Sequence, residues 1–157
     1  MSNYNDIEEF LKELENIKAL PTESKEDIET NKLAENGTEY LMSHNWCDSI
    51  EDGWLAISWG YILCVFLFKI KSSVPEVDDY IWIVNGDIPT AYIDIESAKY
   101  PPEVLQSYIF LMNDWIEAVE LGNSTEDCYP IEVPPTKEFA TNLKSRINFI
   151  EKEISKW

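Results

Sequence analysis

The sequence holds one histidine, His44, and only 12 lysines and arginines against 30 aspartates and glutamates, a formal net charge of -18. A surface that cannot neutralise phosphates repels polyanions, so DNA, RNA and anionic membranes are excluded as partners; the natural complement is cationic. A lone histidine leaves little for acid–base, nucleophilic or metal chemistry. The three cysteines, Cys47, Cys64 and Cys128, are odd in number, widely spaced and without a C-x-x-C pair. They argue against a disulfide framework or a structural zinc site and predict three free thiols. No cationic start with an apolar stretch opens the chain, since residues 1–18 are acidic and amphipathic, and the expected location is the cytoplasm. Long apolar runs are missing too. The longest, Trp54 to Ile70, is interrupted by Ser58 and Gly60 and reads as core strands rather than a membrane span.

What is present is enough for a full core: 157 residues, 45% hydrophobic and 13% aromatic, the common size of one domain, here expected to span 1–157. Its organisation is a change of period. Over residues 5–18, Ile7, Phe10, Leu11, Leu14 and Ile17 recur at helical spacing, with Asn5 and Glu8 as a capping box. Pro21 ends that helix, and a second runs from Ser24 to about His44 despite Asn36-Gly37 in its middle. From Trp54 the pattern is β: Trp54–Trp59, Tyr61–Lys71, Tyr80–Asn85 and Thr90–Ile95 are aromatic and β-branched, with Gly60, Pro75 and Gly86-Asp87 between them. After Pro101-Pro102 the helical period returns through Val104, Leu105, Tyr108, Ile109, Met112, Trp115, Ile116 and Val119 and stops at Gly122. A Pro-rich loop leads to a last helix, capped by Thr136, with Phe139, Leu143, Ile147, Ile150 and Ile154 on one stripe. The expected class is α+β: helices at both ends (1–45 and 101–157) covering an antiparallel sheet of three or four strands over 54–95.

The acidity is uneven. Residues 1–71 carry net -8, residues 72–136 carry -12 with Lys99 as the one base, and residues 137–157 carry +2. On the helix of the acidic middle part, Glu103, Asp114, Glu117 and Glu120 lie away from the core stripe, and Phe110 points with them. An acidic face that merely keeps the protein soluble, with Phe110 packed under a loop, explains this pattern. So does a docking surface whose carboxylates steer a basic partner and whose aromatic anchors it. Asp78, Asp79 and Asp87, on turns beside the strands, extend the acidic candidates.

Catalytic patterns are absent: no G-x-S-x-G, phosphate-binding Gly loop, G-x-G-x-x-G or H-E-x-x-H occurs. His44 and Cys47 are three apart, a spacing a thiol and its base would use, but a helix-terminal His and a semi-buried Cys are ordinary there. The pairs Asp78-Asp79 and Glu51-Asp52 are adjacent in sequence and suit exposed turns better than a glycosidase pair. No catalytic, cofactor-binding or metal-binding residues are therefore assigned, and no cofactor is expected.

The segment from Trp82 to Tyr92, with Gly86-Asp87-Ile88-Pro89-Thr90-Ala91-Tyr92, is the most distinctive local pattern, and a tight hairpin explains it. With the late Trp115 it resembles a little-characterised group of small bacterial proteins carrying Gly-Asp-Leu/Ile-Pro-Thr-x-Tyr, over about Trp54 to Leu121; that resemblance implies no catalytic residues. In size and charge the chain resembles the immunity proteins of bacterial contact-dependent growth inhibition. These are small, cytosolic and often acidic, and they neutralise toxins that are commonly basic nucleases. The resemblance implies a non-enzymatic protein that binds a cationic toxin. A small carboxylate-using hydrolase and an acidic nucleic-acid mimic are the alternatives; a mimic would bind several nucleic-acid proteins, an immunity protein one.

Overall fold

The computed structural model describes residues 4–60 and 62–157, the side chains of residues 4–6 excepted. It is α+β: helices cover both faces of a five-stranded antiparallel sheet whose strands lie in sequence order. The elements are α1 (Tyr4–Leu11), β1 (Glu15–Asn16), α2 (Lys25–Met42), β2 (Ser49–Trp59), β3 (Leu63–Lys71), β4 (Tyr80–Gly86), β5 (Ala91–Asp94), α3 (Pro101–Glu120) and α4 (Lys137–Ile154).

Strands β3 and β4 are buried almost throughout, which is why their sequences are continuous apolar runs without the alternation of a half-solvated sheet. Alternate residues face opposite layers. Leu63, Val65, Leu67, Trp82 and Val84 pack with the core stripes of α3 and α4, joined from α1 by Ile7, Phe10 and Leu11. Cys64, Phe66, Phe68, Ile81 and Ile83 pack on the other face with Ala34 and Leu41 of α2. Gly37 lies where α2 meets the sheet: a Cβ there would sit 3.3 Å from both Ile83 and Phe68. The Asn36-Gly37 pair is thus a point of close approach inside a continuous helix. Helix α2 starts with a reciprocal cap, Asp27 N–H donating to Ser24 Oγ and Ser24 N–H to Asp27 Oδ2, both 3.0 Å.

Four expectations are corrected. The sheet has five strands, not three or four, and β2 begins at Ser49 rather than Trp54. The first helix ends at Leu11 rather than residue 18, so the N-terminal part is not wholly helical. Asn16 redirects the chain: its Oδ1 accepts from Lys18 N–H at 2.9 Å, its Nδ2 donates to Asp52 at 2.8 Å, and Glu15–Asn16 pair with Leu55 and Trp54 as β1. Leu14 and Ile17 still turn inward, so the apolar spacing that resembled a helix survives a turn and a strand. Helix α1 includes residue 5, so Asn5 is not its cap; that side chain and Tyr61, the expected start of the next strand, lie outside the described residues.

Helix α3 opens with two prolines in its first turn. It closes in a Schellman motif, Asn123 N–H bonding Ala118 O at 2.8 Å and Gly122 N–H bonding Val119 O at 3.1 Å. Thr136 caps α4 by accepting from Phe139 N–H.

Candidate partner-binding face

The core stripe of α3 is buried, and its outer face carries the expected residues. Glu103, Phe110, Asp114 and Glu117 follow one another at steps of seven, four and three, which places them on one side of the helix. Phe110 is 73% exposed, the most exposed large hydrophobic described, and Leu121, 65% exposed, continues its line eleven residues on. Glu120 departs from this row and meets Lys144 of α4 at 3.5 Å. Beside the row runs a groove of about 590 Å³, walled by Glu103, Gln106, Phe110 and Leu111 of α3, by Tyr92 and Asp94 of β5, and by Tyr129.

Strand β5 is the edge of the sheet, and its outward Tyr92 N–H is taken by Tyr129 Oη at 3.0 Å. The same hydroxyl meets Tyr40 Oη of α2, so the segment between α3 and α4 is tied across the edge. Burial pushes the Tyr129 and Tyr40 hydroxyls up from the ordinary phenol range, so both stay neutral donors and acceptors.

Asp78 and Asp79 precede β4 while Asp87 follows it, so these three acids lie at opposite ends of one strand and form no single cluster. Asp78 is half-buried in a second cleft, of about 260 Å³, with Trp46, Tyr92, Asp94 and Glu96. Burial raises its carboxyl pKa, and the neighbouring Glu96, Asp94 and Asp79 charges raise it further. Asp79 is exposed, and its carbonyl accepts from Ile70 N–H. Asp87 is engaged by Arg146 of α4, at 2.7 Å from one terminal guanidinium nitrogen and 3.2 Å from Nε.

The segment from Trp82 through Gly-Asp-Ile-Pro-Thr works as a bracket between layers. Trp82 Nε1 donates to Ala98 O at 2.7 Å, Tyr108 Oη of α3 donates to Pro89 O at 2.7 Å, and Asp87 holds α4. Gly86 has φ of +133°, and a Cβ there would collide with the Ile62 carbonyl. The hairpin is looser than a two-residue turn, since residues 87–90 connect β4 to β5.

His44 and Cys47 do not form a nucleophile and base. The imidazole Nδ1 contacts Tyr40 O at 2.8 Å and the ring packs on Trp46 and Tyr92, whereas Cys47 Sγ turns to Met42 and the Ser49 carbonyl. Burial raises the Cys47 thiol pKa, opposite to what a nucleophile needs, and takes buried Cys64 to about 11. All three cysteines are free. Among the described residues, no three His, Cys, Asp or Glu side chains converge to hold a metal ion, and no helix is long and apolar enough to cross a membrane.

Residue spacing did not single out the groove's second wall, Tyr92, Asp94 and Tyr129, nor Trp46 and Glu96. One signal was available: Tyr92 and Asp94, two apart on β5, place an aromatic and an acid on one side of the strand, with Glu96 in the turn that follows. No protein-family model, curated protein or solved structure matches this chain.

Proposed function

We propose that this chain is a binding protein whose acidic α3 face docks a cationic protein, and that the partner is a bacterial toxin, a basic nuclease, which it neutralises as an immunity protein. The observation that carries the reading is Phe110. A phenyl ring left 73% in water among Glu103, Asp114 and Glu117 contributes nothing to the core, yet it has the composition of an interface anchor surrounded by steering charge. The thiols give no support to catalysis, and the one imidazole is packed against aromatic rings.

The test reads the neighbouring reading frame for a basic protein, which an immunity function requires, and co-expresses that protein with this chain in bacterial cells. Asp114→Lys combined with Glu117→Lys should leave melting nearly unchanged, because exposed substitutions shift stability by about 0.5 kcal/mol or less. Protection should be lost, since like charges set against a basic partner cost several kcal/mol. Phe110→Ala should weaken binding by about 2 kcal/mol or more at constant thermal stability. Full protection by the double reversal overturns the docking face, and binding spread over several unrelated nucleic-acid proteins would identify a nucleic-acid mimic instead.

A further inference from the structure

The second cleft lies beside β5 near the groove of the α3 face, and the two share Tyr92, Asp94 and Ser97. Trp46 and Tyr92 stand at its wall with ring centroids 5.2 Å apart, 70° between planes, and His44 packs behind both. Its other lining side chains include Glu76, Asp78, Asp94 and Glu96, and no lysine or arginine is among the described residues that line it.

We propose that this aromatic-walled cleft is the anchor pocket of the interface and takes an arginine side chain carried on an extended segment of the cationic partner. The inference rests on the reading of the α3 face as a docking surface for a basic protein, and it adds a second contact on the far side of β5. Charge complementarity selects a cation. The carboxylates do not converge on a point as metal ligands would, and a space of about 260 Å³ suits an organic side chain. Arginine fits better than lysine: its planar guanidinium stacks on aromatic rings and forks between carboxylates, whereas an ammonium is a compact, strongly hydrated charge. Continuity with the α3 groove favours a cation held on a chain over a free small molecule, because an extended segment lying in the groove reaches the cleft past Tyr92 and Asp94. The crowding of like charge around Asp78 agrees with a site completed by an arriving cation.

The probe is Nα-acetyl-arginine amide, titrated into the full chain and followed by ¹H–¹⁵N correlation spectra, with the Trp46 indole signal assigned through Trp46→Phe. The expected result is a saturable shift of the Trp46 indole and the Tyr92 amide. Asp78→Asn combined with Glu96→Gln should weaken it at least about fivefold, the lysine derivative should bind less tightly, and the isosteric, neutral citrulline derivative should give no shift. Shifts scattered over the acidic surface without saturation, or an equal response to citrulline, overturn the pocket; lysine binding as well as arginine overturns the choice of a planar cation. A second arm separates this inference from the reading beneath it. If the basic partner is released by the α3 double reversal but not by Asp78→Asn with Glu96→Gln, the pocket fails and the docking face stands. If the chain binds the arginine probe but no basic protein, the pocket stands and the docking reading fails.

Discussion

Asp78 shows what a single carboxylate costs when it is partly buried among neighbours of its own sign. Burial and the charges of Glu96, Asp94 and Asp79 raise its folded-state pKa, so the folded chain holds that proton more tightly than the unfolded chain does. The sign follows by linkage: the group's contribution to stability is present at acid pH, below the unfolded value, and is lost as pH rises through the folded value. Asp78→Asn should therefore melt no lower than the parent at neutral pH and higher if the repulsion is unrelieved, with the two curves converging below the ordinary carboxylate range. Thermal melts across pH check this, and a less stable Asn variant at neutral pH would show that the carboxylate makes a favourable contact instead. The exposed row on α3 was legible at this scale, because helical spacing alone sorts Phe110, Asp114 and Glu117 from Tyr108, Met112 and Trp115. Glu120 and Asp87 were legible as acids but not as partners of Lys144 and Arg146, since those pairs join residues 24 and 59 positions apart.

At the level of elements, the long helices were legible because they satisfy caps and periodicity together: α3 between its prolines and its Schellman end, α4 behind Thr136. The misread end of the first helix has a local cause. Leu14 and Ile17 keep a helical rhythm while belonging to a turn and to a short 3-10 helix (Ile17–Ala19) that Asn16 caps, where Asn16 also bonds Asp52. Asn36-Gly37 illustrates the converse, a local turn signal absorbed by packing. Gly37→Leu should force α2 away from Ile83 and Phe68, costing about 1–3 kcal/mol by overpacking. That corresponds to a melting temperature lower by roughly 2–12 °C for a chain of this size. Asn36→Ala, on the exposed side of the same helix, should change stability by about 0.5 kcal/mol or less. Equal effects of the two substitutions would mean that the close approach carries no stability.

For the whole molecule, charge is segregated along the chain: net -12 over residues 72–136 and +2 over 137–157. The acidic excess of residues 72–136 should steer a basic visitor before contact as well as attract it. Association with a basic protein, followed by stopped flow, should slow at least about tenfold between low and high salt, as the screening length contracts from about 30 Å at 0.01 M to about 3 Å at 1 M. A salt-independent rate would remove steering. The class and layering of the fold could be read from the order of periods, but the groove could not, because its walls come from α3, β5 and the segment before α4, and sequence spacing says nothing of which edge a loop crosses. That crossing has a further effect. With Tyr129 seated on the Tyr92 N–H, the β5 edge is blocked at that position as a template for a strand of another copy, a common route to aggregation. For a chain proposed to neutralise a partner it must outnumber, that blocked position on β5 limits one route by which abundance becomes precipitate.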